Sequence, residues 1–144
     1  MKILVSACLL GCACRYDGKS VPSDGVTLLL DKHTLIPVCP ELLGGLPTPR
    51  PSSERVGNRV LRADGTDVTE AYRRGADEVL RLARLYGTTT AILKSKSPAC
   101  GVGTVYDGTF TRTLTDGDGV LAELLLKNGI RVLTEHDLDE FKKE

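Results

Sequence analysis

KILVS (residues 2–6), a short apolar stretch that leads into a cysteine-rich loop, decides the fold of this chain. A short run with no interior charge is typical of a fully buried strand in a parallel sheet. TLIPV at 34–38 and TTAILKS at 89–95 have the same character. A cysteine follows each of the three strands: Cys8, Cys39 and Cys100. Because the carboxyl ends of parallel strands meet along one rim of a sheet, we expect these thiols to converge there.

Helical patterns alternate with these strands. Apolar residues over 68–86 recur at spacings of three and four and predict the longest helix, which Gly87 ends. The other predicted elements are helical segments at 26–32, 120–127 and 136–143, a strand at 130–133, a hairpin at 55–62, and loops at 44–54 and 98–119 with strand pairing around 109–114. This alternation predicts one α/β domain over residues 1–144, a three-layer, Rossmann-like parallel sheet with its site loops at the strand C-termini.

Composition narrows the classes of partner and compartment. Lys plus Arg and Asp plus Glu each number 19 in 144 residues, so no basic surplus indicates nucleic acid or an anionic membrane. A small molecule is the expected partner, and the oligomeric state is not predicted. No run of about 20 apolar residues indicates a membrane span. Five cysteines, an odd number, favour reduced thiols in the cytoplasm over a disulfide framework.

Three segments carry the candidate chemistry. They are SACLLGCACRYDG at 6–18, CPELLGGLPTPR at 39–50 and KSKSPACG at 94–101. Three thiols at one rim suit a soft metal or an iron–sulfur cluster. The spacing of Cys8, Cys12 and Cys14, four and then two residues, matches neither a zinc ribbon nor a radical enzyme. Cys14 remains an alternative to Cys8 as a ligand, and Cys12 has no assigned role.

Together the three segments resemble a family formerly described as domain of unknown function 523, whose characterised members are thiouracil desulfidases. The resemblance extends over nearly the whole chain. It implies a cubane [4Fe-4S] cluster held by three cysteines, which match Cys8, Cys39 and Cys100, and a fourth iron without a protein ligand. It also implies a catalytic carboxylate at Glu41 and a catalytic serine at Ser97.

The implied reaction is a non-redox desulfuration of 2-thiouracil or a related thiobase, which gives the oxo product and sulfide. Glu41 would move protons to and from water or the ring nitrogen, and Ser97 would orient substrate or water. An aerobic preparation is expected to lose the cluster, because exposed thiolates oxidise easily.

Other residues of these segments have two interpretations each. Arg15, Tyr16 and Asp17 either contact substrate or form a turn with Asp17 at its tip. Arg50 either hydrogen-bonds a substrate carbonyl or buttresses Glu54. We interpret Lys94 and Lys96 as solvated or anion-facing side chains, and His33 and His136 as surface residues without a metal role.

Two alternatives to the desulfidase stay open at this point. One is a zinc site with three cysteine ligands, which would make the chain a hydrolase or a structural zinc protein. The other is a non-enzymatic thiol redox or sulfur-transfer module built on Cys8, Cys12 and Cys14.

Overall fold

A four-stranded parallel sheet lies at the centre of the computed structural model, which describes residues 1–143. Numbered along the chain, β1 (Lys2–Ser6) and β5 (Thr90–Leu93) are the central strands. β2 (Thr34–Val38) lies beside β1, and β8 (Arg131–Thr134) lies beside β5. All three pairings are parallel. The predicted parallel sheet is therefore confirmed, with the predicted limits for β1 and β2, a shorter β5 and a β8 shifted by one residue.

The remaining elements surround this sheet. Two antiparallel hairpins are formed by β3 (Ser53–Val56) with β4 (Arg59–Arg62) and by β6 (Thr104–Tyr106) with β7 (Leu114–Asp116). The helices are α1 (Asp24–Thr27), α2 (Pro40–Leu43), α3 (Thr69–Tyr86) and α4 (Val120–Lys127), with short 3-10 helices at Ala7–Leu10, Leu28–Asp31 and Asp139–Lys143.

The alternation of side chains in β1 separates two apolar layers. Leu4 belongs to the layer under α3 and α4. Ile3 and Val5 belong to the opposite layer, which contains Val26 of α1 and Phe141 of the last 3-10 helix. Helical segments thus cover both faces of the sheet, as a parallel sheet requires. The predicted three-layer α/β architecture is confirmed.

Two glycines bring α2 into backbone contact with α3. A Cβ built on Gly75 would lie 1.8 Å from the Pro40 carbonyl oxygen, and one built on Gly44 would lie 2.0 Å from the Ala71 carbonyl oxygen. No side chain fits at either position, so the two helices meet at their backbones. This contact fixes α2, and α2 begins directly after Cys39.

The structure differs from the sequence prediction mainly in the loops. The strand pairing predicted around 109–114 lies on either side of that segment: β6 pairs with β7, with Tyr106 opposite Leu114, and residues 107–113 form the loop between them. Phe110 and Arg112 there have φ angles of 59° and 60°, which no strand accommodates. The short helix α2 and the 3-10 helix Ala7–Leu10 were not predicted, since four-residue elements lack a measurable period. No helix within residues 1–143 has the length and apolar character needed to cross a membrane.

Candidate metal centre and active site

A cavity of about 490 Å³ lies at the carboxyl ends of the central strands, and four cysteines line it. Cys8 lies in the 3-10 helix that follows β1, Cys39 follows β2 directly, and Cys100 follows β5 after a turn. Cys14 of the first loop is the fourth. The structure thus brings together the three thiols that the strand positions predict to converge.

Hydrogen bonds fix the turn that carries Cys100. The Ser97 hydroxyl oxygen accepts the N–H groups of Ala99 and Cys100, both at 3.1 Å. The first N–H groups of α4, from Val120 and Leu121, donate to the carbonyls of Pro98 and Ala99 at 2.9 Å. Cys100 is therefore anchored to a helix N-terminus, with Ser97 as its local cap.

The pKa values of all three rim thiols are raised. Burial raises the pKa of Cys8 to about 11, with the carboxylate of Glu41 and the thiol of Cys39 as further causes. Burial also raises the pKa of Cys100 well above the usual value, again assisted by Glu41. The pKa of Cys39 is raised first by a hydrogen bond with Cys14 and then by burial. The pKa of Cys8 stays raised although Lys94 and Arg15 oppose the rise, so a thiolate there would need a further positive group, which is what a metal site supplies.

Cys14 adjoins Cys39 in the same cavity. The hydrogen bond with Cys39 lowers the pKa of Cys14. The Cys14 carbonyl faces the Cys39 sulfur at 3.9 Å and accepts a bond of 3.1 Å from Arg50 Nη2. Cys12 is exposed and does not line the cavity. The structure therefore leaves both Cys8 and Cys14 as candidate ligands and sets Cys12 apart.

Only one of the two carboxylate oxygens of Glu41 is paired with another side chain. Its Oε2 lies 3.1 Å from Arg50 Nη2, whereas its Oε1 is buried and has no hydrogen-bond partner among residues 1–143. Burial raises the pKa of Glu41, and the charge of Arg50 opposes that rise. A buried carboxylate with a free oxygen and an upward-shifted pKa is suited to proton transfer.

Arg50 is occupied by the protein itself. Besides Glu41 and the Cys14 carbonyl, its guanidinium donates to the Pro47 carbonyl at 3.2 Å and to the Thr48 hydroxyl at 3.1 Å. Only 6% of the side chain is exposed. The structure thus favours a positioning role over the predicted contact with substrate, and it pairs Arg50 with Glu41 instead of Glu54.

The segment Arg15–Tyr16–Asp17 divides into two parts. Arg15 and Tyr16 line the cavity, with the guanidinium carbon 5.8 Å from the centre of the tyrosine ring. Asp17 lies outside the cavity lining, and its carboxylate accepts the Lys19 N–H at 2.9 Å. The carboxylate of Asp17 caps the turn that Gly18 completes, which agrees with the turn interpretation, and its substrate contact stays a prediction.

Further side chains of the cavity were not assigned to it from the sequence. Ser6 ends β1, accepts the Lys94 N–H at 2.9 Å, and forms a hydrogen bond that lowers the pKa of Cys100. The sequence feature that could have identified Ser6 is its position as the one hydroxyl residue at the end of an apolar strand. Lys94 lies 2.9 Å from the Glu135 carboxylate, and exposed His136 lies at the cavity wall. Glu54, Tyr72, Phe110 and Arg112 are also among the lining residues.

The donor set fits an iron–sulfur cluster. No group of three His, Cys, Asp or Glu side chains within residues 1–143 is arranged around one point to hold a single metal ion. A cubane cluster requires a wider arrangement of ligands, because each cysteine binds a different iron at a different corner. Cys8, Cys39 and Cys100, which line one cavity from three strand ends, fit this arrangement.

Fold and site together define a class of protein: a parallel α/β protein with a cysteine-lined cavity at the strand ends. The profile of the 2-thiouracil desulfurase family matches residues 3–137, and the chain belongs to that family. YbbK of Bacillus subtilis (strain 168), described as uncharacterized, is 40% identical over 148 residues, which cover 96% of this chain and 98% of YbbK. The solved structure of the [4Fe-4S]-dependent thiouracil desulfidase TudS superposes with a TM-score of 0.92 at 44% identity, over 96% of this chain and 93% of that one.

These comparisons confirm the predicted family and, with it, the predicted class of enzyme, a desulfidase. The cluster named for TudS agrees with the predicted cofactor. The zinc alternatives and the non-enzymatic sulfur module receive no support. The family also implies a small thiolated base as the class of substrate.

Proposed function

We propose that this chain removes the sulfur of 2-thiouracil or a closely related thiobase. Water supplies the oxygen of the product, and the sulfur leaves as hydrogen sulfide, so no electrons are exchanged. The observation that carries the proposal is the placement of Glu41, whose side chain lines the same cavity as Cys8, Cys39 and Cys100 and keeps one carboxylate oxygen without a partner among residues 1–143.

Cys8, Cys39 and Cys100 would hold the [4Fe-4S] cluster. When bound by three cysteines, such a cluster supplies an iron with a free coordination position, which is a Lewis acid for a soft sulfur. The three side chains come from three different strand ends, so the sheet itself sets their separation. The buried Ser6 hydroxyl would support the Cys100 thiolate by hydrogen bonding.

Glu41 would transfer the protons. Its Oε1 is free to accept a proton from the attacking water and to return it to the ring nitrogen or the departing sulfur. Arg50 binds Oε2 and would hold the carboxylate in one orientation. The Ser97 oxygen accepts two N–H groups, which leaves its hydroxyl proton available to orient water or substrate.

We also infer that the enzyme works in the cytoplasm on a free small molecule. All five cysteines are unpaired, which suits a reducing compartment. The balanced charge offers no excess of cations for a nucleic-acid backbone.

Sulfide release from 2-thiouracil tests the proposed reaction. Protein reconstituted without oxygen is expected to form uracil and sulfide in equal amounts, Cys12→Ala to match it, and Cys100→Ala to form neither. Wild-type sulfide release no greater than that of Cys100→Ala would overturn the reaction.

Glu41→Gln tests the proton-transfer role separately. It is expected to keep the iron content and visible absorption of the wild type and to lose about 10²- to 10⁴-fold in kcat, the usual contribution of general acid–base catalysis. A wild-type kcat in this variant would show that Glu41 does not transfer the protons, and it would leave the proposed reaction unaffected.

A further inference from the structure

The loop of residues 107–113 forms part of the cavity wall in a costly conformation. Three non-glycine residues within 1–143 have positive φ angles: Lys96 at 67°, Phe110 at 59° and Arg112 at 60°. All three line the cavity. Bulky side chains rarely adopt this conformation, and such strain concentrates at functional sites.

A buried carboxylate holds the loop in place. Glu54 of β3 is only 8% exposed, and its Oε1 accepts the N–H groups of Gly108 at 2.9 Å and Phe110 at 3.2 Å. Gly108 packs on the same strand, since a Cβ there would lie 2.7 Å from the side chain of Val56. The loop is therefore docked on β3 and is not a free surface segment.

Threonines order the other side of the loop. The hydroxyl oxygens of Thr109 and Thr111 are 2.6 Å apart, and those of Thr111 and Thr113 are 2.8 Å apart. The residues between them, Phe110 and Arg112, line the cavity. This alternation turns a phenyl ring and a guanidinium toward the site.

Phe110 gains little from the hydrophobic core, because 36% of the residue remains exposed. The ring of Phe110 lies beside the cavity, and a buried carboxylate holds its backbone in a strained conformation. Hydrophobic packing does not explain this position, which indicates a role in function. We propose that Phe110 is the surface on which the planar ring of the substrate stacks, and that Glu54 is the positioning residue that fixes it. This inference rests on the proposed function for the identity of that ring.

Kinetics of Phe110 variants test the stacking contact on the reconstituted enzyme. Phe110→Ala is expected to raise KM for 2-thiouracil about tenfold or more, the range found for loss of one base–aromatic stack, with kcat within about twofold. Phe110→Tyr keeps a ring and should match the wild type, while Phe110→Leu should resemble Phe110→Ala. The matched control is Leu85→Ala, an apolar residue 74% exposed and outside the cavity.

Glu54 variants test the positioning role. Glu54→Ala is expected to raise KM in the same direction as Phe110→Ala, and the double variant should be no worse than Phe110→Ala alone, because both act through one ring. Glu54→Gln retains a carbonyl acceptor and should recover most of the affinity. Additive effects in the double variant would show that Glu54 does not act through Phe110.

Binding of uracil, measured by calorimetry, separates this inference from the proposed function. Wild-type turnover with an unchanged KM in Phe110→Ala would overturn the stacking contact and leave the desulfidase intact. Uracil binding that depends on Phe110 without any sulfide release would support the contact and overturn the reaction. Neither turnover nor uracil binding by the wild type would overturn both.

Discussion

The sheet framework, which comprises β1, β2, β5, β8, α3 and α4, and the rim loops at residues 7–18, 39–56 and 94–119 are stabilised by different forces. In the framework, Ile3, Leu4 and Ile92 are completely buried among other apolar side chains. In the rim loops, charged side chains bind backbone groups. Arg55, for example, donates to the Asp118 carbonyl at 2.7 Å and to the Glu123 carboxylate at 2.5 Å.

This difference assigns stability to the sheet framework and function to the rim loops. Apolar burial stabilises the framework, whereas burial in the rim loops raises the pKa values of Cys8, Cys100 and Glu41. The rim loops thus hold ionisable side chains in surroundings that shift their pKa values, which does not stabilise the fold. Substitutions in the framework should lower the free energy of unfolding, and substitutions in the rim should change chemistry first.

The largest loss of stability is expected for Ile92→Ala in the central strand. Ile92 is fully buried, and removing a side chain of this size costs about 2–5 kcal/mol of unfolding free energy. Urea unfolding of the cluster-free, reduced protein measures it. Exposed Leu85→Ala should stay within about 0.5 kcal/mol of the wild type. Equal losses in the two variants would contradict the assignment of stability to the framework.

Gly75→Ala should damage both regions at once. The new methyl group would collide with the Pro40 carbonyl and force α2 away from α3, at a cost of about 1–3 kcal/mol. Because α2 starts beside Cys39 and carries Glu41, iron retention and kcat should fall as well. Glu78→Ala on the exposed side of the same helix is the control. Wild-type activity in Gly75→Ala would show that this contact does not set the site.

Arg50→Lys should affect function with little change in iron content. Lysine keeps the charge but cannot make the four bonds of the guanidinium, so Glu41 loses its orientation and kcat should fall by about 10²-fold. KM should stay near the wild-type value. A raised KM with unchanged kcat would instead restore the substrate contact predicted from the sequence.

A smaller, pH-dependent effect is expected at the start of α3. The Thr69 hydroxyl and N–H, followed by Arg59, lower the pKa of Asp67 from 3.8 to about 2. Since the folded-state value lies below the unfolded one, the charge stabilises the fold above about pH 4, and this contribution disappears as the pH falls toward about 2. The Tm difference between wild type and Asp67→Asn should therefore shrink over that interval. A constant difference would show that the charge of Asp67 does not contribute.

The framework could be predicted from the sequence because its signals are periodic. The strands at 2–6 and 34–38 and the helix at 120–127 have the predicted limits. The predicted helix at 68–86 begins one residue before α3 does. The convergence of Cys8, Cys39 and Cys100 followed from topology alone.

The rim loops could be predicted only in part, because their contacts join residues far apart in the chain. Nothing local in the sequence shows that Arg50 bonds to the Cys14 carbonyl or that Glu54 binds the N–H of Phe110. The threonines at 109–113 suggested a strand by β-propensity, yet their hydroxyls pair along a loop. The roles assigned to Glu41 and Ser97 stay predictions.

The iron content of single cysteine variants, reconstituted without oxygen, tests the central claim most directly. That claim is that three strand-end thiols hold one cluster. The wild type, Cys12→Ala and Cys14→Ala should each retain about four iron atoms per chain with broad visible absorption, and Cys8→Ala, Cys39→Ala and Cys100→Ala should lose both. Retention of the cluster by Cys8→Ala together with its loss in Cys14→Ala would contradict the claim.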